Sequence, residues 1–214
     1  MARLIWWAAL VAGATYMIPV LAGWSGPEII VWKGAGVTLL ALWAALHARD
    51  RFGWMIVLVL AFGAAGDVLL DAAGLTVGAV AFAIGHLIAI GLYRQNARSD
   101  VSGSQRALAF LAPPLALVAT WFMLEGEALR IAAMIYTALV AVMASAAWLS
   151  RFPRYRTGIG AMLFLLSDLL IFARESGQIA PELGAALIWP LYFGGQALIA
   201  WGVVTTLKTE EARA

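Results

Sequence analysis

Two aspartates stand inside apolar runs, Asp67 in Gly66-Asp67-Val68-Leu69-Leu70-Asp71 and Asp168 in Ser167-Asp168-Leu169-Leu170-Ile171. A carboxylate in hydrocarbon costs about 2.5–3.5 kcal/mol on insertion scales, so it persists where it has a partner or a task. Two carboxyls near each other in low dielectric cannot readily both ionise. One keeps its proton, and the pair can then act as general acid and general base. Further polar side chains interrupt other apolar runs: Lys33, His86, Tyr192 and Gln196, with Asp71 one turn beyond Asp67. Asp67 and Asp71 are four residues apart, as are Tyr192 and Gln196, so each pair shares a helix face.

Each residue also has a plainer reading. Asp67 and Asp168 can be interhelical glue, with Lys33 as a partner. Asp71 is close enough to a loop to be simply solvated, and Lys33 can snorkel to the surface. His86 can be a core imidazole satisfied by a hydroxyl, and Tyr192 and Gln196 can be hydrogen-bond partners between helices. His47 reads as interfacial, and Arg174 and Glu175 as rim charges. Gly63, Ala64, Ala65 and Gly66 require no more than close helix packing.

Other chemistries are harder to build from this chain. It has no Cys, which excludes disulfides, thiolate catalysis and Cys-ligated metals, and its two His cannot make a three-histidine zinc site. There is no G-x-S-x-G elbow, and Ser167 adjoins Asp168 at a spacing that points the two apart. Carboxylate chemistry remains, with no metal or cofactor required.

The elements that position these groups follow from composition. The chain has 214 residues, 64% hydrophobic and only 12% charged. At about 20 residues per span it is nearly all membrane. Apolar runs at 4–22, 29–47, 54–72, 75–93, 107–124, 129–149, 157–173 and 185–206 predict an all-α polytopic membrane protein with eight transmembrane helices, one membrane-embedded domain over 1–214. The first run, flanked by Arg3 and bearing Trp6 and Trp7, reads as a span rather than a signal peptide. Arg3, Arg49, Arg51, Arg94, Arg98, Arg106, Arg151, Arg154, Arg156, Lys208 and Arg213 fall on one side of this topology, and only Arg130 and Arg174 on the other. This asymmetry predicts both termini in the cytoplasm, and an integral protein of the cell membrane, the inner one in a bacterium. Because the basic residues sit at span ends, a pI near 9.2 reports topology and not nucleic-acid binding. The ten Trp are expected at interfacial belts. Spans three and seven run the same way and share a small-Asp-apolar-Leu-apolar pattern, which suggests a four-plus-four pseudo-repeat.

Depth follows from a rise of about 1.5 Å per residue. Lys33, Asp67, His86, Asp168, Tyr192 and Gln196, from five spans, all fall between the midplane and the extracytoplasmic boundary. One polar cavity opening toward that side is expected.

Lys33-Gly34 early in span two, Gly66-Asp67-Val68-Leu69-Leu70, Gly85-His86-Leu87, Ser167-Asp168, and Tyr192 with Gln196 together resemble the YhhN family of membrane proteins, which includes the lysoplasmalogenases. The order and spacing of these short motifs run over nearly the whole chain. The chain departs from the family pattern at Gly34, often Pro, and at Ile88 to Ile90, where an aromatic is common. The resemblance implies hydrolysis of the vinyl ether of a lysoplasmalogen to a fatty aldehyde and a glycerophospho-base. Protonation of the β-carbon gives an oxocarbenium ion that water captures, and two aspartates can serve as acid and base without metal. On this reading Asp67 and Asp168 are the catalytic pair, with either one the acid. Lys33, Asp71, His86, Tyr192 and Gln196 support them or meet the lyso-ether phospholipid. Two other functions use the same residue types: a proton-coupled transporter, which needs polar groups continuing to the cytoplasmic face, and a non-enzymatic lipid-binding protein.

Overall fold

The computed structural model describes residues 1–212. Arg213, counted above with the cytoplasmic charges, lies outside them. Eight helices are long and apolar enough to cross a membrane, and no strand forms among the described residues. The first span is broken in two, α1 (Ala2–Thr15) and α2 (Met17–Ala22). Then follow α3 (Pro27–Ala45), α4 (Arg51–Ala72), α5 (Leu75–Gln95), α6 (Gly103–Met123), α7 (Glu127–Leu149), α8 (Ile159–Glu175) and α9 (Pro181–Glu211). A π-helical turn, Arg154–Gly158, leads into α8 and completes the seventh span.

The helix ends agree with local chemistry. Asp50 caps α4 by accepting from the Gly53 N–H at 2.7 Å. Ser102 and Gln105 form a reciprocal capping box at the start of α6. Pro27 and Pro181 open α3 and α9, where a missing N–H costs nothing. Gly74 and Gly126, both at positive φ, turn α4 into α5 and α6 into α7 within a few residues.

Helices α3, α4, α5, α7, α8 and α9 form a ring that closes where α9 meets α3 and α4, with α1 packed against α3. The fifth span, α6, stands outside the ring against α7 and α8. It is tied there by a Thr120–Thr137 hydrogen bond of 2.9 Å and by Ser145 donating to the Ala109 carbonyl. Its other face, with Phe110, Leu115 and Phe122, is exposed, as expected of a lipid-facing helix. The contact of α3 with α9 has a counterpart in that of α7 with α5, as the four-plus-four arrangement expects.

At the end of the bundle holding the α5–α6 loop, Arg151 Nε donates to Asn96 Oδ1 at 2.7 Å, and Arg151 also pairs with Glu210 of α9. At the opposite end lie the α4–α5 and α8–α9 connections.

Two expectations need correction. Trp189 is not part of an interfacial belt. It is buried in α9 and its Nε1 donates to the Gly13 carbonyl at 2.7 Å, locking α9 to α1. Trp43 likewise lies buried against Trp6. Hydropathy registers an indole's length along the span but not whether it faces lipid or a neighbouring helix.

Candidate functional site

The site is built at the end of the bundle where α4 turns into α5 and α8 into α9. Asp67 and Asp168 are only 2% and 7% exposed, so neither faces lipid. Both line one cavity of about 310 Å³, together with Lys33, Asp71, Ser167 and Tyr192. Arg174 and Glu175, ion-paired to each other at 2.9 Å, line it too.

Each aspartate receives a proton donor from a tyrosine on another helix. Tyr192 of α9 donates to Asp67 Oδ2 at 2.9 Å, and Tyr136 of α7 donates to Asp168 Oδ2 at 2.8 Å. A phenol has one proton, so each tyrosine oxygen must accept from the group behind it. Gln196 Nε2 lies 3.4 Å from the Tyr192 oxygen, one turn along α9. His86 Nε2 lies 3.3 Å from the Tyr136 oxygen, which assigns the Nε2–H tautomer to the ring. Two parallel donor chains result, Gln196 to Tyr192 to Asp67 and His86 to Tyr136 to Asp168.

Behind the cavity stands an aromatic wall. Phe82, Phe164 and Tyr192 meet edge to face, with centroids 5.1–5.9 Å apart, and His86 packs on Phe164 at 4.9 Å. Behind it lies a chamber of about 10 Å³, room for one water, lined by His86, Gln196, Tyr93 and Gly63. The Gln196 Oε1 and Tyr93 hydroxyl oxygens are buried and make no hydrogen bond within the protein.

The structure therefore separates what depth alone had merged. Lys33, Asp67, Asp71, Asp168 and Tyr192 reach the cavity, whereas His86 and Gln196 do not; they stand in the rear chamber. Depth along a helix axis does not fix the direction in which a side chain projects. Asp71 is not simply solvated: it accepts from Lys33 Nζ at 2.7 Å, with side chains 32% and 14% exposed. That pairing holds the Lys33 ammonium at the cavity, beside a carboxylate that is itself partly exposed. Ser167 does not point away from Asp168. Its Oγ, which bonds the Phe164 carbonyl at 2.7 Å, also sits 3.4 Å from Asp168 Oδ1.

A second space adjoins the first. An apolar slot of about 120 Å³ runs between α5, α7 and α8, and Asp168 lines both spaces. Asp67 lines only the polar one.

The YhhN family matches residues 29–203, most of the chain and every site residue named above in this subsection. The chain belongs to the YhhN family. Among curated relatives, proteins called "Lysoplasmalogenase" from Mycobacterium bovis and from Mycobacterium tuberculosis are each 29% identical to it over 211 residues, 92% of this chain and 80% of theirs. No match is found among solved structures. Within this YhhN chain, the family departures fall in different places. A Cβ at Gly34 would lie 2.7 Å from Val68 Cγ2, so glycine lets α3 approach α4 beside Lys33. Of Ile88 to Ile90, only Ala89 lines any of these spaces, the rear chamber. The aliphatic stretch is thus remote from the polar cavity.

Tyr136 escaped the sequence reading. A tyrosine in an apolar run counts as an ordinary span residue, and its partner lies 32 positions away. The one available signal was that Asp168 lacked a donor on its own helix face. Tyr16, which also lines the cavity, passed unread as an ordinary span residue, and Trp189, which lines it too, reads from sequence as an interfacial anchor.

Proposed function

We propose that the chain is a membrane lipid hydrolase that cleaves the vinyl ether of a lysoplasmalogen, releasing a fatty aldehyde and a glycerophospho-base, with Asp67 and Asp168 as its acid–base pair. The observation that carries this reading is geometric: two buried carboxyls from different helices line one cavity, each fixed by a tyrosine donor. The names of the mycobacterial relatives point to the same substrate class.

The reaction needs a proton at the β-carbon, a negative charge beside the oxocarbenium ion, and a base for water. One aspartate supplies the first and the other the remaining two. The tyrosines hold the carboxyls in place. Lys33 and Arg174, each sharing the cavity with its own carboxylate partner, offer positive charge to the lipid phosphate. Asp71 holds the Lys33 ammonium at the cavity. Gln196 and His86 act from behind, through the tyrosines. The basic residues cluster at the opposite end of the bundle from the cavity, which supports an extracytoplasmic opening.

The test is aldehyde release from a lysoplasmenyl lipid by the purified chain in detergent, with Asp67→Asn, Asp168→Asn and EDTA-treated samples alongside. Turnover that survives EDTA and falls by about a hundredfold or more in each variant is expected. Full activity in folded variants would remove the aspartates from the mechanism. No turnover by folded wild-type protein would shift the reading to proton-coupled transport, for which intramembrane Asp, His and Lys are equally suited.

A further inference from the structure

The slot and the cavity meet at a boundary between apolar and polar surroundings. The slot is lined by Thr76, Ala79 and Phe82 of α5, Leu129, Ala132, Ala133 and Tyr136 of α7, and Phe172 of α8. Leu75, Thr76, Leu129 and Ala132 on its outer side are exposed, so it opens on the lateral face of the bundle, where lipid lies. Leu70, Leu75, Phe82, Ile171 and Asp168 line both spaces, and Asp168 is the one ionisable group among them. The ammonium of Lys33 and its partner Asp71 belong to the cavity alone, one helical turn from Asp67.

A lysoplasmalogen has the same division. Its vinyl ether is the junction between one hydrocarbon chain and a polar glycerophospho head, with the β-carbon on the chain side and the α-carbon bonded to the ether oxygen. Resting on the function proposed above, we infer that the slot seats the hydrocarbon chain, that Asp168 is the acid that protonates the chain-side carbon, and that Asp67 is the anion and base on the head-group side.

The steps balance. Asp168 gives its proton to the β-carbon as the double bond's electrons form the new C–H bond, leaving the cation on the α-carbon and ether oxygen. Asp67 stabilises that cation and takes a proton from the water whose oxygen bonds to the α-carbon. The hemiacetal then collapses. Asp67 returns its proton to the glycerol oxygen as the C–O bond breaks, and the hemiacetal hydroxyl proton passes to Asp168 as the aldehyde forms. Both aspartates end as they began.

The assignment is tested on the full chain in detergent with a non-cleavable alkyl-ether lysolipid bearing a terminal diazirine. Photolabel on slot residues of α5 and α7, displaced by a lysoplasmenyl lipid, is expected; label confined to other helices overturns the slot. Ala132→Trp, on the exposed edge of the slot, should lower kcat/KM for a hexadecenyl lipid on the order of tenfold relative to an octenyl one. An equal effect on both chain lengths argues against the slot. For the roles, azide is the probe. It should restore lipid consumption in Asp67→Ala, where a small anion replaces the missing one, and not in Asp168→Ala. Rescue of Asp168→Ala instead, or of neither, overturns the assignment. Slot labelling without aldehyde from any lipid would keep the chain site and sink the hydrolase reading, whereas turnover with label elsewhere would sink the slot alone.

Discussion

Tyr136 and Tyr192 stand in equivalent relations to Asp168 and Asp67, yet only Tyr192 shares the polar cavity; Tyr136 reaches its aspartate from the slot side. A hydrogen bond to a charged group contributes about 1.5–3 kcal/mol. Tyr136→Phe and Tyr192→Phe should therefore each lower kcat by about tenfold to a hundredfold while leaving KM near wild type, measured by aldehyde release. A rise in KM with unchanged kcat would instead make the tyrosines substrate contacts. Gln196→Leu should produce a smaller fall than Tyr192→Phe, because it removes the donor behind the tyrosine and leaves the phenol on Asp67. At this scale the sequence revealed the residues that are costly in hydrocarbon. Asp67, Asp168, Lys33 and Asp71 announced themselves by charge. Tyr136 did not, because a phenol is inexpensive in a span until its partner is known. His86 and Gln196 were visible as residues, but their position behind Phe82 and Phe164 depends on helix rotation, which no pattern of charge or hydropathy encoded here.

Close backbone approach adds to the aromatic packing that holds the helices of the site together. Where α8 crosses α9, a Cβ added at Gly160 would come within 2.6 Å of the Gly195 carbonyl oxygen, and one at Gly195 equally close to the Gly160 carbonyl oxygen. In a bilayer such small-residue crossings replace the hydrophobic drive that water provides elsewhere. Gly195→Val should push the helices apart and, through Tyr192 one turn away, unseat Asp67. A loss of about 1–3 kcal/mol is expected, read as a lowered melting temperature in detergent. Gly194→Ala is the control, since nothing lies within 4 Å of a Cβ there, and its melting temperature should not change. The number and limits of the spans were legible because apolar length and loop charge encode them directly. The break at Tyr16 has a local cause that went unread, Pro19, which has no N–H to give the Thr15 carbonyl four residues back. The π-helical turn at Arg154–Gly158, packed against α7, α8 and α9, left no such mark in apolar length or charge.

For the molecule as a whole, what matters is which leaflet supplies the substrate. The cavity lies at the end bearing the α4–α5 turn, and the slot opens sideways beside it. Nearly all Arg and Lys outside the spans lie at the other end. By the rule that cytoplasmic loops hold this excess, the cavity is expected to face outward. A lipid with one chain can then enter from the outer leaflet, its head in the cavity and its chain in the slot, without crossing the bilayer. Because the chain has no Cys, single cysteines report sidedness without background. Ala73→Cys, in the exposed turn next to Asp71, should react with a membrane-impermeant maleimide added to intact cells. Ser99→Cys, exposed in the α5–α6 loop, should react only after permeabilisation. The reverse pattern would turn the cavity toward the cytoplasm and make the inner leaflet the source of substrate. The acid–base geometry would stand unchanged, but product aldehyde would then be released inside the cell.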